Sequence, residues 1–74
     1  MKNKKMKLLP ITKKSDLKRG TIYVFHTKSI CDLRVIIKIE DGRVYHYSMS
    51  DKVFSYNTVG ALVGADYYSK VSGT

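Results

Sequence analysis

Cysteine is all but missing from this chain. Cys31 stands alone, so 74 residues must fold without an internal disulfide, and no Cys/His cluster has the spacing of zinc ligands. A lone cysteine fits a reducing cytoplasm. Long apolar runs are missing too. After the basic opening of residues 1–7, only Leu8-Leu9 precede Pro10. A secretory signal needs ~7–15 apolar residues and a membrane-spanning helix needs ~20. The expectation is a cytoplasmic protein with no membrane partner.

The usual catalytic sets are absent as well. The segment Gly60-Ala61-Leu62-Val63-Gly64 has neither the lysine nor the preceding buried strand of a phosphate-binding loop. Ser15, Ser29, Ser48 and Ser50 lie in no nucleophile-elbow pattern, and Cys31 has no base beside it. His26 and His46 fall by parity on apolar faces, with no carboxylate at a cross-strand spacing. Histidines so placed are more often hydrogen-bonded core residues than catalysts. The reading is a protein that is not an enzyme and needs no cofactor and no metal.

Acidic residues are few, six against fourteen basic ones, for a formal charge of +8. The excess is local. Residues 1–19 carry Lys2, Lys4, Lys5, Lys7, Lys13, Lys14, Lys18 and Arg19 against Asp16, which is +7. Residues 20–74 carry six basic and five acidic residues, which is +1. The basicity therefore belongs to the amino-terminal segment, a source of non-specific attraction to phosphate. Residues 1–14 read as a basic, partly disordered arm and residues 15–74 as a single small domain.

What the chain has in abundance is β-forming alternation. Val35, Ile37 and Ile39 alternate with Arg34, Lys38 and Glu40, Asp41-Gly42 follows, and Arg43 to Met49 is a second alternating run. Asp-Gly between two such runs predicts a β-hairpin with a type I′ turn. A two-residue turn sets Glu40 opposite Arg43, and counting outward sets Ile37 opposite His46 and Arg34 opposite Met49. That register puts Val35, Ile37, Ile39, Val44, His46 and Ser48 on a core face. It puts Arg34, Ile36, Lys38, Tyr45, Tyr47 and Met49 on the other.

Further strands are predicted over residues 21–28, 52–56 and 67–71. Asn57-Thr58 reads as a cap for one helical turn ending at Gly64. Leu8 to Ile11 reads as a short extended piece, with Pro10 suited to an edge.

The polar turn Ser15-Asp16-Leu17-Lys18-Arg19-Gly20, with Leu17 as its apolar anchor, resembles the lead-in to the first strand of small SH3-like barrels. The expected fold is all-β and mostly antiparallel. It is a five-stranded SH3-like or OB-like barrel with a short helical turn before the last strand. The alternative is an open antiparallel sheet that dimerises.

The expected function is a non-catalytic binding module for nucleic acid, DNA or RNA. Its sites would be the lysines and Arg19 of residues 1–19 together with Arg34, Lys38, Tyr45 and Tyr47 on one sheet face. The alternative partner is an acidic protein surface. In size and simplicity the chain is similar to phage host-takeover factors, which implies a protein that binds and blocks a cellular enzyme. Monomer and homodimer are both compatible with the sequence.

Overall fold

A computed structural model describes residues 7–74. The fold is all-β, an antiparallel six-stranded sheet with one short helix. The strands are β1 (Leu8–Pro10), β2 (Ile22–His26), β3 (Cys31–Glu40), β4 (Arg43–Ser48), β5 (Val53–Thr58) and β6 (Tyr68–Val71). A 3₁₀ turn, Lys14–Asp16, follows β1, and the helix α1, Val59–Leu62, follows β5. The strand order is β1-β6-β2-β3-β4-β5. No helix among the described residues is long and apolar enough to cross a membrane.

The expected closure into a five-stranded barrel is corrected here. Among the described residues there are six strands, and β1 and β5 form the two edges of an open sheet. The added strand β1 is only three residues long and ends in Pro10, which has no N–H to donate to a further ladder. It extends the sheet beyond β6 without reaching β5.

The Asp41-Gly42 turn forms as expected. Asp41 has φ +53° and Gly42 φ +74°, the two positive values that a type I′ turn requires. Glu40 pairs with Arg43, Ile39 with Val44 and Lys38 with Tyr45. Beyond that point the expected register fails. A β-bulge at Ile37 shifts the pairing by one, so Ile36 faces His46, Val35 faces Tyr47 and Arg34 faces Ser48. One extra residue in one strand exchanges the faces of everything beyond it. Ile36 is therefore the core residue, 1% exposed, and Ile37 is the surface one, 38% exposed. Arg34 turns from the outer face to the inner one.

Three consecutive β-branched residues, Val35-Ile36-Ile37, explain why parity alone misreads this strand. Each is apolar, so alternation does not say which one faces inward. The chain outside the hairpin decides: Gly20 donates its N–H to the Ile36 carbonyl at 2.9 Å, and the Ile36 N–H returns to the Thr21 carbonyl at 2.9 Å.

The core lies on the inner face. Ile11, Leu17, Tyr23, Ile36, Val44, Leu62 and Tyr68 form one buried cluster, and Phe25, Ile39, Val59, Val63 and Ala65 pack against it. Leu17 anchors the turn that precedes β2, as expected. Val24 is also fully buried but lies outside this cluster, on the opposite face of β2, between its cross-strand partners Leu33 and Ser69. With Tyr23 and Val24 both fully buried, β2 is covered on both faces.

The helical turn starts where expected. The Thr58 hydroxyl accepts from the Ala61 N–H at 3.2 Å, and Gly64, at φ +79°, turns the chain out of α1. The Gly64 N–H then donates to the Ile11 carbonyl at 2.8 Å, tying the helix exit to the residue that follows β1.

Candidate nucleic-acid interface

The outer face of β3–β5 is built by cross-strand pairing. Tyr45 lies opposite Tyr56 and Tyr47 opposite Phe54, with ring centroids 5.6 Å and 4.8 Å apart. Aromatic pairs of this kind are a main stabilising unit of an antiparallel sheet. They are also accessible here: Phe54 is 72% exposed and Tyr56 46%. Two cations border them. Lys38 Nζ lies 5.0 Å from the Tyr45 ring centroid, and the Arg43 guanidinium carbon 5.1 Å from that of Tyr56. Both distances are within cation–π range. Lys38 also pairs with Glu40 at 3.0 Å, an exposed bridge of little energetic weight. Between these side chains runs an apolar groove of about 410 Å³, lined by Ile37, Lys38, Tyr45, His46, Phe54, Ser55 and Tyr56.

Three of the twelve expected site residues, Lys38, Tyr45 and Tyr47, share this face. Lys2, Lys4 and Lys5 lie outside the described residues. Lys7, Lys13, Lys14, Lys18 and Arg19 are exposed. Lys7 leads into β1, at the edge opposite β5, and its carbonyl accepts from the Ser72 N–H at 2.9 Å. Along the sheet, those edges are five inter-strand steps apart. The turn carrying Lys18 and Arg19 is closer, because the Gly20 bond to Ile36 holds it beside the bulge.

Sequence reasoning missed Phe54, Tyr56 and Arg43. The signal that finds them is the β4–β5 register, which sets Phe54 and Tyr56 opposite the two tyrosines already singled out.

Arg34 takes a different place from the one expected. On the inner face its Nε donates to Asp32 Oδ2 at 2.8 Å and its Nη1 to Asn57 Oδ1 at 3.0 Å. Its guanidinium carbon lies 5.4–6.0 Å from the ring centroids of Tyr23, Phe25 and Tyr68. Asp32 Oδ1 accepts from the Ser48 hydroxyl at 2.9 Å and from the Ser50 hydroxyl at 2.6 Å. Burial alone would raise the Asp32 pKa, but the hydroxyls of Ser50 and Ser48 and the Arg34 guanidinium outweigh it and hold the carboxyl below its ordinary value.

His46 completes the network. The Tyr23 hydroxyl has one proton and donates it to Asn57 Oδ1 at 2.8 Å, an oxygen fixed as acceptor by Arg34. The 2.8 Å contact between Tyr23 Oη and His46 Nδ1 is therefore Nδ1–H donating to the phenol. Burial, and then the Arg34 charge, lower the His46 pKa and favour this neutral tautomer. Burial also pushes the Tyr23 phenol up to about 12. His26 is bonded as well, through Nε2 to the Ser69 hydroxyl at 2.9 Å.

No family model matches the chain, and neither a curated protein nor a solved structure does.

Proposed function

We propose that this protein is a binding module for single-stranded nucleic acid, with the bases stacking on the outer face of β3–β5. The observation that carries the reading is Phe54, a phenylalanine held open to solvent beside Tyr47, with Tyr56, Lys38 and Arg43 around it. Exposed aromatics between cations suit the π-faces and phosphates of a single strand without requiring a particular sequence. The lysines of residues 1–19 supply the electrostatic part of the reading. A meander of four strands, one helical turn and a last strand returning beside the first supports a kinship in connectivity with SH3-like barrels. The sheet here would be an opened form of that arrangement.

The test is Phe54→Ala and Tyr56→Ala, read by fluorescence anisotropy with labelled single-stranded DNA and RNA. Stacking contributes ~1–3 kcal/mol per base, so each variant is expected to bind about five- to 150-fold more weakly. The melting temperature should fall by only a few degrees, since each variant loses one cross-strand aromatic pair, worth about 0.2–1 kcal/mol, and no core packing. Unchanged affinity in both variants would remove this face from the reading.

A protein partner is the second reading, and β5 is the observation behind it. This edge strand is exposed along almost its whole length and carries no charge and no proline. An extended segment of a partner could add to it as a seventh strand. Phe54→Ala would then weaken capture of that partner while nucleic-acid affinity was negligible from the start.

A further inference from the structure

On the inner side of β4–β5 lies a second cavity, of about 250 Å³, which shares His46, Ser55 and Tyr56 with the outer groove. Asp32, Arg34, His46, Ser55, Asn57 and Tyr68 are among its lining residues. It is polar where the outer groove is apolar, and smaller than the usual range for drug-sized ligands.

The hydrogen-bond inventory leaves specific valences open there. His46 is 3% exposed, and its Nδ1–H is spent on Tyr23, so Nε2 keeps a lone pair. That atom has no hydrogen bond among the described residues. No buried side-chain nitrogen or oxygen lacks a partner among them, so Nε2 is open to the cavity side rather than sealed. The Tyr68 hydroxyl accepts from Asn57 Nδ2 at 3.4 Å, which leaves its own proton without an acceptor. The Ser55 hydroxyl makes no hydrogen bond among the described residues and also lines the cavity. The site thus offers one acceptor and at least two donors.

Charge narrows the ligand. Arg34 is matched by Asp32 at 2.8 Å, and Asp32 already accepts three hydrogen bonds. A further ion would enter a site with no free countercharge deep inside it, which is costly. A neutral ligand avoids that cost. The ring of Tyr68 at the cavity favours a planar one.

We propose that this cavity binds a neutral planar heterocycle presenting an N–H donor beside a C=O acceptor, the lactam edge of a nucleobase. The N–H goes to His46 Nε2, and the carbonyl accepts from Tyr68 or Ser55. The proposal rests on the nucleic-acid reading for its biological ligand. It is tested with free bases, so that the cavity and the aromatic face fail separately.

The groups facing His46 are Tyr23 on β2, Asp32 and Arg34 on β3, Ser48 on β4, Ser55 and Asn57 on β5, Tyr68 on β6, and Asp51 in the β4–β5 turn. Of these, Asp32 favours a charged imidazole and Arg34 opposes it. Burial adds to the opposition, and the imidazole is neutral at pH 7. Protonation of Nε2 would remove the acceptor, so affinity must fall as the pH drops below the His46 pKa.

The experiment follows the His46, Tyr68 and Ser55 resonances while 1-methyluracil is titrated into the protein, with 1,3-dimethyluracil as the partner probe lacking the N–H. Saturable shifts are expected with 1-methyluracil at pH 7.5. Binding of the dimethyl compound should be at least tenfold weaker, and the advantage of 1-methyluracil should be lost at low pH. His46→Asn keeps a donor toward Tyr23 but removes Nε2, and should abolish the preference between the two probes. If that variant does not fold, the two probes on the unmodified protein still decide. Equal binding of both, no saturable shift, or affinity that rises as the pH falls would each overturn the proposal.

Discussion

A strand with three successive β-branched residues can present any of them to the core, and β3 selects Ile36. That choice separates two neighbouring substitutions. Ile36→Ala should destabilise by ~2–5 kcal/mol, the range for emptying a buried aliphatic site. Ile37→Ala should cost well under 1 kcal/mol in thermal or urea unfolding, because Ile37 sits at the bulge and lines the open groove. Arg34 carries a related consequence. Replacing it by Ala leaves Asp32 buried beside Ser48 without its countercharge, a loss of ~3–5 kcal/mol. Loss of nucleic-acid binding in Arg34→Ala would thus accompany loss of fold and carries no message about phosphate recognition.

At the scale of elements, the hairpin depends on its turn and the sheet on its edges. Gly42 has φ +74° with open space where a Cβ would stand, so the obstacle to Gly42→Val is backbone conformation rather than crowding. A β-branched residue at positive φ is strongly disfavoured, and the turn sets every pair up to the bulge. Gly42→Val should lower the melting temperature markedly, whereas Gly42→Asn should be tolerated, because Asn adopts that conformation more readily. The two edges differ in protection. β1 is short and ends in Pro10, while β5 offers six uncharged residues. Lys at position 55 or 57 would break hydrogen bonds of the inner network or crowd its cavity. Phe54→Lys on the outer face is the cleaner guard. It should reduce self-association or capture of an extended peptide in sedimentation and pull-down measurements, with little change in melting.

Across the whole molecule, three groups make stability depend on pH in the same direction. Asp16 is held low chiefly by the Thr12 N–H and by Lys70, and Asp32 by its hydroxyl and guanidinium partners. A carboxyl with a depressed folded pKa contributes stability that is present above its unfolded value, 3.8, and lost as the pH falls through the folded one. His46 is depressed from 6.5 because its neutral form is the buried one, so the unfolded chain binds the proton first and stability declines below 6.5. The melting temperature should therefore be level above about pH 6.5, slip as His46 begins to charge, and fall again below 3.8. In His46→Asn the first decline should vanish while the second remains. The arm is tested by salt. Replacing Lys2, Lys4 and Lys5 by Ala should make the slope of log K against log salt shallower by roughly 0.7 for each single-strand phosphate that those lysines neutralise. An unchanged slope would mean that they do not touch the ligand.

Alternation and turn chemistry were enough to determine the all-β class, the Asp41-Gly42 hairpin, the β2 strand, the Leu17 anchor and the Thr58 cap, because each follows from local periodicity or from a backbone angle few residues adopt. The partners of those elements were not local. The bulge at Ile37 is decided by hydrogen bonds from Gly20 and Thr21, sixteen and fifteen positions from Ile36, and it alone moves Arg34 from the aromatic face into the network with Asp32, His46 and Asn57. Tyr56 and Phe54 join Tyr45 and Tyr47 only through the β4–β5 register. The open sheet, with β1 and β5 as separate edges, is likewise a tertiary outcome: β2 to β6 were legible as strands and β1 only as a short extended piece, but hydrogen bonding between distant segments chooses which edges meet and which are left free.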